Sequence, residues 1–330
     1  MKTEPLTWAQ AHTNIALVKY WGKANLELII PQNSSLSLTL DHFYTQTGVQ
    51  FDEYLSADQF WLDDQSIPVS SKVKRCLDVV RELAGINQFA KVVSYNHVPN
   101  SAGLASSASA FAALATAASR AAGLHLDGKQ LSRIARRGSG SSTRSIFGGF
   151  VEWHGGNSDA TSYAEPIQDP VTMDIKMITV ILNRSQKSIS SSNGMQRSVT
   201  TSPYYPIWRD QAANDLINIK QAIYSNEFTN VGEIAETNAM RMHSLTLSAD
   251  PSFTYFNADS LTVMNVVHHL RQNGIECYFT MDAGPNVKIL CQSKNEQRIQ
   301  DELANHFKPQ DIVVCNPGPG VKVIRDPRLK

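Results

Sequence analysis

Residues 102–122 constrain the fold more than any other part of the chain, because 11 of these 21 residues are alanine. Alanine has the highest helix propensity, and a helix with small side chains on every side can approach a sheet or a ligand closely. Ser106, Ser107 and Ser109 fall in the first turn, where unpaired backbone N–H groups and the helix dipole favour an anion. We predict a closely packed helix over residues 106–122 whose N-terminus faces phosphate.

The loop that precedes this helix, residues 99–105, supports a phosphate site of an unusual type. Gly103 allows close approach of the backbone to a ligand. The segment has no lysine of the G-x-x-x-x-G-K-[ST] type, so a Walker nucleotide site is excluded and the countercharge must come from elsewhere. The alternative is an alanine-rich core helix that begins with an ordinary serine cap.

Strand and helix patterns follow one another without strict alternation, which indicates an α+β fold rather than a doubly wound sheet. A stretch with Pro166 and Pro170 interrupts the periodic patterns over residues 165–172. We therefore predict two domains, 1–172 and 173–330. Strands are predicted at 13–18, 45–51, 91–97, 147–153, 176–182, 276–281, 286–291 and 311–315, and helices at 71–84, 106–122, 128–137, 208–224, 228–243, 260–272 and 296–307.

Charge and composition point to a globular chain that acts on small molecules. Lys plus Arg and Asp plus Glu are 30 each, so nothing favours nucleic acid or an anionic membrane as a partner. No apolar stretch approaches the roughly 20 residues that cross a bilayer, and the first residues lack the apolar core of a secretory signal. The four cysteines lack metal-ligand spacing, which is typical of buried, reduced thiols in a cytoplasmic enzyme.

Two cationic motifs could hold an anionic substrate. Lys19, Tyr20 and Lys23 straddle a turn after a strand, and ammonium groups suit phosphate oxygens. Arg144 follows the serine- and glycine-rich residues 138–143, whose hydroxyls and N–H groups suit a diphosphate, while a guanidinium suits a carboxylate. The alternative for the first motif is a solvated strand end with surface lysines, and the alternative for the second is a flexible loop after a helix.

Asp282 follows an apolar strand and precedes Ala283-Gly284-Pro285-Asn286. A carboxylate at the end of a buried strand can act as a general base or bind a metal, although many such aspartates only fix a turn. The serine cluster at residues 188–195 is predicted to be a loop.

These segments resemble a known family. Residues 99–109 resemble the central motif of the GHMP kinase superfamily, with Ala105 in place of its usual second glycine. Residues 14–23, 33–40, 138–149 and 282–286 are similar to signature segments of the diphosphomevalonate decarboxylase family. The similarity runs from about residue 10 to about residue 320.

The resemblance implies an ATP-driven, Mg²⁺-requiring conversion of mevalonate 5-diphosphate to isopentenyl diphosphate, phosphate, ADP and CO₂ in the mevalonate pathway. It implies the two-domain GHMP kinase fold, with an N-terminal domain like ribosomal protein S5 domain 2, a ferredoxin-like C-terminal domain and a substrate cleft between them. It also implies a homodimer. A kinase that stops at the phosphorylated intermediate, a decarboxylase of the monophosphate and a sensing module remain open.

The resemblance further implies roles for individual residues. Asp282 and Arg144 are expected to be catalytic. The residues expected to bind the substrate are Asn14, Tyr20, Trp21, Gly22, Lys23, Lys72, Ser139, Gly140, Ser141, Ser142, Thr143, Arg144 and Ser192. The residues expected to bind ATP are Ser94, Asn96, Ser101, Gly103, Leu104, Ala105, Ser106, Ser107 and Lys187. Ser106 is also expected to ligate Mg²⁺.

Overall fold

A computed structural model describes residues 5–98, 106–182 and 189–329, and these residues form two main sheets with helices packed on them. The strands are β1 (Thr7–Val18), β2 (Lys23–Asn25), β3 (Ile30–Pro31), β4 (Ser35–Asp52), β5 (Gln59–Leu62), β6 (Gln65–Ile67), β7 (Phe89–His97), β8 (Phe150–Trp153), β9 (Ala164–Gln168), β10 (Lys176–Val180), β11 (Cys277–Met281), β12 (Val287–Cys291), β13 (Ile312–Cys315) and β14 (Lys322–Ile324). The helices are α1 (Ser71–Ala84), α2 (Ser106–Ala121), α3 (Gly128–Gly138), α4 (Ser191–Thr201), α5 (Tyr205–Tyr224), α6 (Phe228–Leu247), α7 (Ala258–Gln272) and α8 (Glu296–Ala304). The α+β prediction is confirmed.

The first sheet has the strand order β14-β1-β4-β7-β5-β6, and β8 joins it through β4 and carries β9. Helix α2 packs on β1 and β4, with α1 and α3 beside it. Ala112, Ala113, Ala115 and Ala117 are fully buried there. The alanine-rich segment is thus the close-packed helix that its composition predicts.

The second sheet is antiparallel and has the order β11-β12-β10-β13. Along the chain it is built as a strand, a helical segment, two strands, one helix and a last strand, which is the arrangement of a ferredoxin-like fold. Helix α6 packs on β11 and also contacts β1 of the first sheet. The end of β1, after Val18, is thereby brought against the second half of the molecule.

Local end signals place α1 at the boundaries predicted from the sequence. The Ser70 hydroxyl accepts a hydrogen bond from the Val73 backbone N–H at 3.3 Å, which caps the N-terminus. Gly85 ends the helix with φ at +65°, a conformation that glycine adopts without steric cost.

Several sequence predictions differ from the structure, and β1 and β4, for example, begin at Thr7 and Ser35 rather than at residues 13 and 45. Residues 164–168 form β9, which pairs with β8, although the stretch was expected to interrupt regular structure; an edge strand accepts Pro166 because it needs no N–H there. Part of the serine cluster is helical, since α4 begins after Ser190, whose hydroxyl accepts from the Asn193 N–H. The strand predicted at 147–153 begins only at Phe150.

The last strand, β14, pairs with β1 and so returns the chain to the first sheet. The first sheet therefore contains a strand from the C-terminal end of the chain, so the two sheets do not correspond to two continuous halves of the sequence. The boundary between residues 172 and 173 stays a prediction.

The four cysteines, Cys76, Cys277, Cys291 and Cys315, are buried free thiols, and burial raises the pKa of each to about 12. Within residues 5–98, 106–182 and 189–329, no helix is long and apolar enough to pass through a bilayer.

Candidate active site

A cavity of about 640 Å³ is lined by residues from both halves of the molecule. The first half contributes the end of β1, the N-termini of α1 and α2, and the segment from Gly138 to Arg144. The second half contributes the start of α4, Met242 of α6 and the turn at Asp282. The structure thus brings together sequence motifs that lie more than 100 residues apart.

Asp282, whose side chain is 24% exposed, forms an ion pair with the buried Lys19 across the two halves. The Lys19 Nζ lies 2.9 Å from Asp282 Oδ1 and also donates to the Ala16 carbonyl at 2.7 Å. Lys19 is only 2% exposed, and its backbone N–H donates to Asn238 Oδ1 on α6 at 2.8 Å. Burial lowers the pKa of Lys19 to about 8, although the charge of Asp282 opposes this shift.

A second lysine reaches the same carboxylate. Lys288 is 1% exposed, and its Nζ lies 3.6 Å from Asp282 Oδ2 and donates to the Asn286 carbonyl at 3.1 Å. Burial lowers the pKa of Lys288, again against the attraction of Asp282. One carboxylate therefore faces two buried ammonium groups.

Arg144 is held rigidly at the wall of the cavity. Its Nε donates to Asn14 Oδ1 at 3.3 Å and its Nη1 donates to Ser35 Oγ at 2.5 Å. Its guanidinium lies 6.0 Å from the Trp153 ring centroid. Burial lowers the pKa of Arg144 to about 10, so the group stays charged at neutral pH. We call Asn14, Lys19, Arg144 and Asp282 the cavity base.

Asn14 ties the cavity base to the serine-rich segment. Its Nδ2 donates to the Ser141 carbonyl at 2.9 Å and to Ser145 Oγ at 2.8 Å. The 3₁₀ helix Gly140–Ile146 carries both of these acceptors and Arg144. Its compact backbone fixes the guanidinium relative to β1.

Tyr20 lies beside this segment, with its ring edge-on to Trp153 at 4.7 Å between centroids. Burial raises the pKa of Tyr20, and its buried hydroxyl has no hydrogen-bond partner among the described residues. Gly140 allows this packing, because a Cβ there would lie 2.7 Å from the Tyr20 ring and 2.8 Å from Trp153. The Tyr20 phenol therefore stays neutral, and its hydroxyl hydrogen remains available as a hydrogen-bond donor to a ligand.

The outer part of the cavity is held more loosely. The Lys23 Nζ donates to Ser192 Oγ at 3.3 Å, and Ser107 and Ser139 exchange a hydrogen bond at 3.2 Å between their hydroxyls. Burial, together with Lys72 and Arg75, lowers the pKa of Lys23. Ser107 and Lys72 are exposed. We call Lys23, Lys72, Ser107, Ser139 and Ser192 the cavity mouth.

Two predicted substrate contacts point away from the cavity. The Ser142 hydroxyl donates to the Ala135 carbonyl at 2.7 Å, and the Thr143 hydroxyl donates to the Gly140 carbonyl at 2.8 Å. Both side chains are fully buried and satisfy backbone acceptors of their own segment. The structure therefore gives them a part in building the 3₁₀ helix and does not bring their hydroxyls to the cavity.

Gly22 also lies off the cavity lining. Its φ is +115°, and a Cβ would lie 2.0 Å from the Tyr205 hydroxyl, which donates to the Trp21 carbonyl at 2.5 Å. Glycine is needed here for this close helix contact. Trp21 itself lines the cavity.

Ser94 and Asn96 lie on β7 and do not line the cavity. The Ser94 side chain is buried and bonds to the Thr47 hydroxyl at 3.0 Å, while Asn96 Oδ1 accepts from the Thr45 hydroxyl at 3.2 Å. Their expected contact with the nucleotide stays a prediction. The remaining predicted ATP contacts, Ser101, Gly103, Leu104, Ala105 and Lys187, lie outside the described residues.

Two family models match the chain. The first, described as the diphosphomevalonate decarboxylase-like N-terminal domain, matches residues 11–164, and the second, the mevalonate 5-diphosphate decarboxylase C-terminal domain, matches residues 177–319. The chain belongs to the diphosphomevalonate decarboxylase family.

Individual family members support this assignment. The diphosphomevalonate decarboxylase of Debaryomyces hansenii is 32% identical over 321 residues, which cover 91% of this chain and 82% of the relative. The crystal structure of mevalonate diphosphate decarboxylase from Staphylococcus aureus is 46% identical, with a TM-score of 0.93 and coverage of 97% of this chain and 98% of that one. A structure of MDDEF in complex with MVAPP, AMPPCP and magnesium is 49% identical, with a TM-score of 0.93 and coverage of 98% and 99%. The predicted GHMP kinase fold is confirmed.

The residues at this site fit a Mg²⁺ ion that is bound mainly through nucleotide phosphates. Across the three described ranges, no group of three or more His, Cys, Asp or Glu side chains could hold a metal ion. Mg²⁺ commonly keeps its waters and is bound through substrate phosphates and one or two protein oxygens. Ser106 lines the cavity at the start of α2, where its hydroxyl can serve as such a ligand.

Sequence reasoning missed Lys288 and the partner of Lys19. The ammonium group of Lys19 lines the cavity and pairs with Asp282, and its expected contact with phosphate oxygens stays a prediction. Lys288 carried one signal that could have been used, a lysine inside the otherwise apolar strand Val287–Cys291. A charged residue within a buried strand needs a partner, and here that partner is Asp282.

Proposed function

We propose that this chain catalyses the ATP-dependent decarboxylation of mevalonate 5-diphosphate to isopentenyl diphosphate, phosphate, ADP and CO₂, in the mevalonate pathway of isoprenoid biosynthesis. One observation carries the proposal: Asp282, Arg144 and the N-terminus of α2 line a single cavity. A base, a carboxylate-binding cation and a phosphate-binding helix end are what the reaction requires. The relative that holds MVAPP, AMPPCP and magnesium supports the same pair of substrates.

The first step is phosphorylation of the tertiary hydroxyl, which is a poor leaving group. Asp282 orients this hydroxyl and accepts its proton while the oxygen attacks the γ-phosphorus of ATP and the bond to ADP breaks. Phosphoryl transfer depends on alignment and charge neutralisation. Mg²⁺, when bound, neutralises charge on the nucleotide phosphates.

The second step removes the new phosphate and the carboxylate together. The C–O bond breaks with its electron pair on phosphate, and the electron pair of the bond to the carboxylate carbon forms the alkene as CO₂ leaves. Arg144 holds the carboxylate in line, because its planar fork is fixed by Asn14 and Ser35.

The cavity mouth is proposed to bind the diphosphate end of the substrate. Lys23, Ser139 and Ser192 of the mouth are the proposed ligands, together with Tyr20 and Ser141 of the adjoining cavity wall, and Lys72 contributes charge from the rim. Binding energy from this remote group can be used to orient the reacting carbon for the transition state. We propose a cytoplasmic homodimer on the strength of the family resemblance, and size-exclusion chromatography with light scattering tests the dimer.

The direct test mixes purified protein, Mg·ATP and mevalonate 5-diphosphate and follows ADP and CO₂ together. We expect equal molar amounts of both products. ADP without CO₂ would identify a kinase, preference for the monophosphate would identify a different decarboxylase, and binding without either product would identify a sensing module.

A further inference from the structure

Lys288 is the second residue of β12 and lies on an interior face of the second sheet. Its register neighbours are Thr179 on β10 and Thr280 on β11, both fully buried. Along β12, Leu290 points to the same side as Lys288 and belongs to the large core that α5 and α6 share with β1. A lysine at this position loses the water around its ammonium group when the protein folds. This desolvation costs free energy that an apolar residue would not cost.

The ammonium group of Lys288 reaches across the turn that carries Asp282. Its Nζ donates to the Asn286 carbonyl at 3.1 Å and lies 3.6 Å from Asp282 Oδ2. The same turn is closed by the Gly284 N–H, which donates to the Asp282 carbonyl at 2.8 Å. Lys288 therefore connects the far end of the turn to the carboxylate at its beginning.

Lys19 and Lys288 approach different oxygens of one carboxylate from different halves of the molecule. Lys19 makes a short hydrogen bond to Oδ1, whereas the contact of Lys288 with Oδ2 is longer and electrostatic. Each carboxylate oxygen has two acceptor sites, so Oδ2 can accept the substrate hydroxyl while Lys288 attracts it. Removing Lys288 would take away a positive charge at Oδ2 and leave Lys19 at Oδ1.

We propose that Lys288 is a positioning residue for Asp282, which holds the carboxylate ionised and turned so that Oδ2 faces the substrate hydroxyl. This inference rests on the proposed function, because it assigns Lys288 to the same proton transfer. Lys288 does not itself touch the substrate in this scheme. It acts only through the carboxylate.

Three other charged or titratable groups lie near Asp282. Lys19 donates to Oδ1, and Arg144, whose Nε and Nη1 donate to Asn14 and Ser35, also attracts Asp282 through its charge. His243 on α6 is buried, and burial lowers its pKa to about 3, so it is neutral at working pH. Lys288 thus places a positive charge 3.6 Å from Oδ2.

The test compares Lys288→Met with the parent by steady-state kinetics over a range of pH. We expect kcat to fall about tenfold or more, by analogy with the loss of outer partners that orient an active group. The KM for mevalonate 5-diphosphate should change little. The acid limb of the pH profile should move up by about one pH unit, because a nearby cation favours the ionised carboxylate.

Lys176→Met is the matched control. Lys176 lies on β10 of the same sheet and pairs with Glu296 at 2.5 Å, but it does not line the cavity. This variant should keep the parent kcat and pH profile. Lys288→Arg should restore the acid limb, even if its larger group lowers kcat.

An unchanged kcat and acid limb in Lys288→Met would overturn the proposal. If that variant does not fold, Lys288→Gln is measured by the same criteria, and failure of both to fold would show that the residue serves only the fold. An inactive parent would instead refute the proposed function, so the two failures are distinguishable.

Discussion

The cavity base and the cavity mouth carry similar charges but differ in how firmly the protein holds them. In the base, Asn14, Lys19 and Arg144 are at most 2% exposed and Asp282 is 24% exposed, and their hydrogen bonds are 2.5–2.9 Å long except the 3.3 Å bond from Arg144 to Asn14. In the mouth, the bonds of Lys23 and Ser107 are 3.2–3.3 Å long, and Lys72 is exposed. The base is organised before the substrate arrives, whereas the mouth needs a ligand to order it.

This difference predicts a division of labour. A preorganised group contributes most where charge develops during the reaction, so changes in the base should lower kcat. A group that is ordered only by the ligand contributes to binding, so changes in the mouth should raise KM. Changes to Asp282, Arg144, Lys19 and the lysines of the mouth test this division of labour.

The largest effect is expected for Asp282→Asn, which keeps the shape of the side chain and removes its basicity. Loss of a general base lowers kcat by about a thousandfold or more. The Kd for mevalonate 5-diphosphate, measured by calorimetry, should stay close to that of the parent. A variant that retains a tenth of the parental turnover would contradict the role of Asp282.

Arg144→Lys should lower kcat by about a hundredfold, because lysine lacks the planar fork that holds the carboxylate and cannot bridge Asn14 and Ser35. Steady-state ADP release measures the effect. Arg209→Lys, on the exposed face of α5, is the control and should match the parent. Equal kcat in both variants would refute the carboxylate clamp.

The pH dependence reports on Lys19. Its pKa is lowered to about 8, so the group loses its proton as the pH rises through that value, and Asp282 then loses one of its cationic partners. We expect kcat/KM of the parent to fall above about pH 8. Lys19→Arg should move this limb to higher pH, since guanidinium stays charged. If kcat/KM of Lys19→Arg falls at the same pH as in the parent, this fall is caused by the titration of another group.

The smallest effects are expected in the cavity mouth. Lys23→Met should raise the KM for mevalonate 5-diphosphate about tenfold, and the exposed Lys72→Met should raise it less, because water and salt screen the charge. Both variants should keep the parent kcat. Raising the ionic strength should shrink the effect of Lys72→Met first. A large fall in kcat in either variant would remove the distinction between mouth and base.

The parts of the fold that local signals determine were predictable from the sequence. Ser70 and Gly85 bound α1 as their residue types indicate, and the alanine-rich α2 packs as its composition predicts. The start of α4 was read as a loop, because serine, asparagine and glycine favour loops and helix caps alike. That choice depends on Met195, which packs into a core that the local pattern does not reveal.

The candidate site shows the same limit. Asp282, Arg144, Lys23 and Ser192 were chosen from their motifs, and the structure brings all four to one cavity. The partners that fix them were not predictable, because the contact of Asp282 with Lys288 depends on strand register and that of Lys19 with Asn238 on how α6 packs. Burial of these charges is a property of the assembled fold.

A crystal structure of the complex with mevalonate 5-diphosphate tests the division between base and mouth most directly. We predict that the substrate carboxylate lies against Arg144, its tertiary hydroxyl within hydrogen-bond distance of Asp282, and its diphosphate between Lys23 and Ser192. A substrate bound in the opposite direction, with its diphosphate against Arg144, would contradict the account.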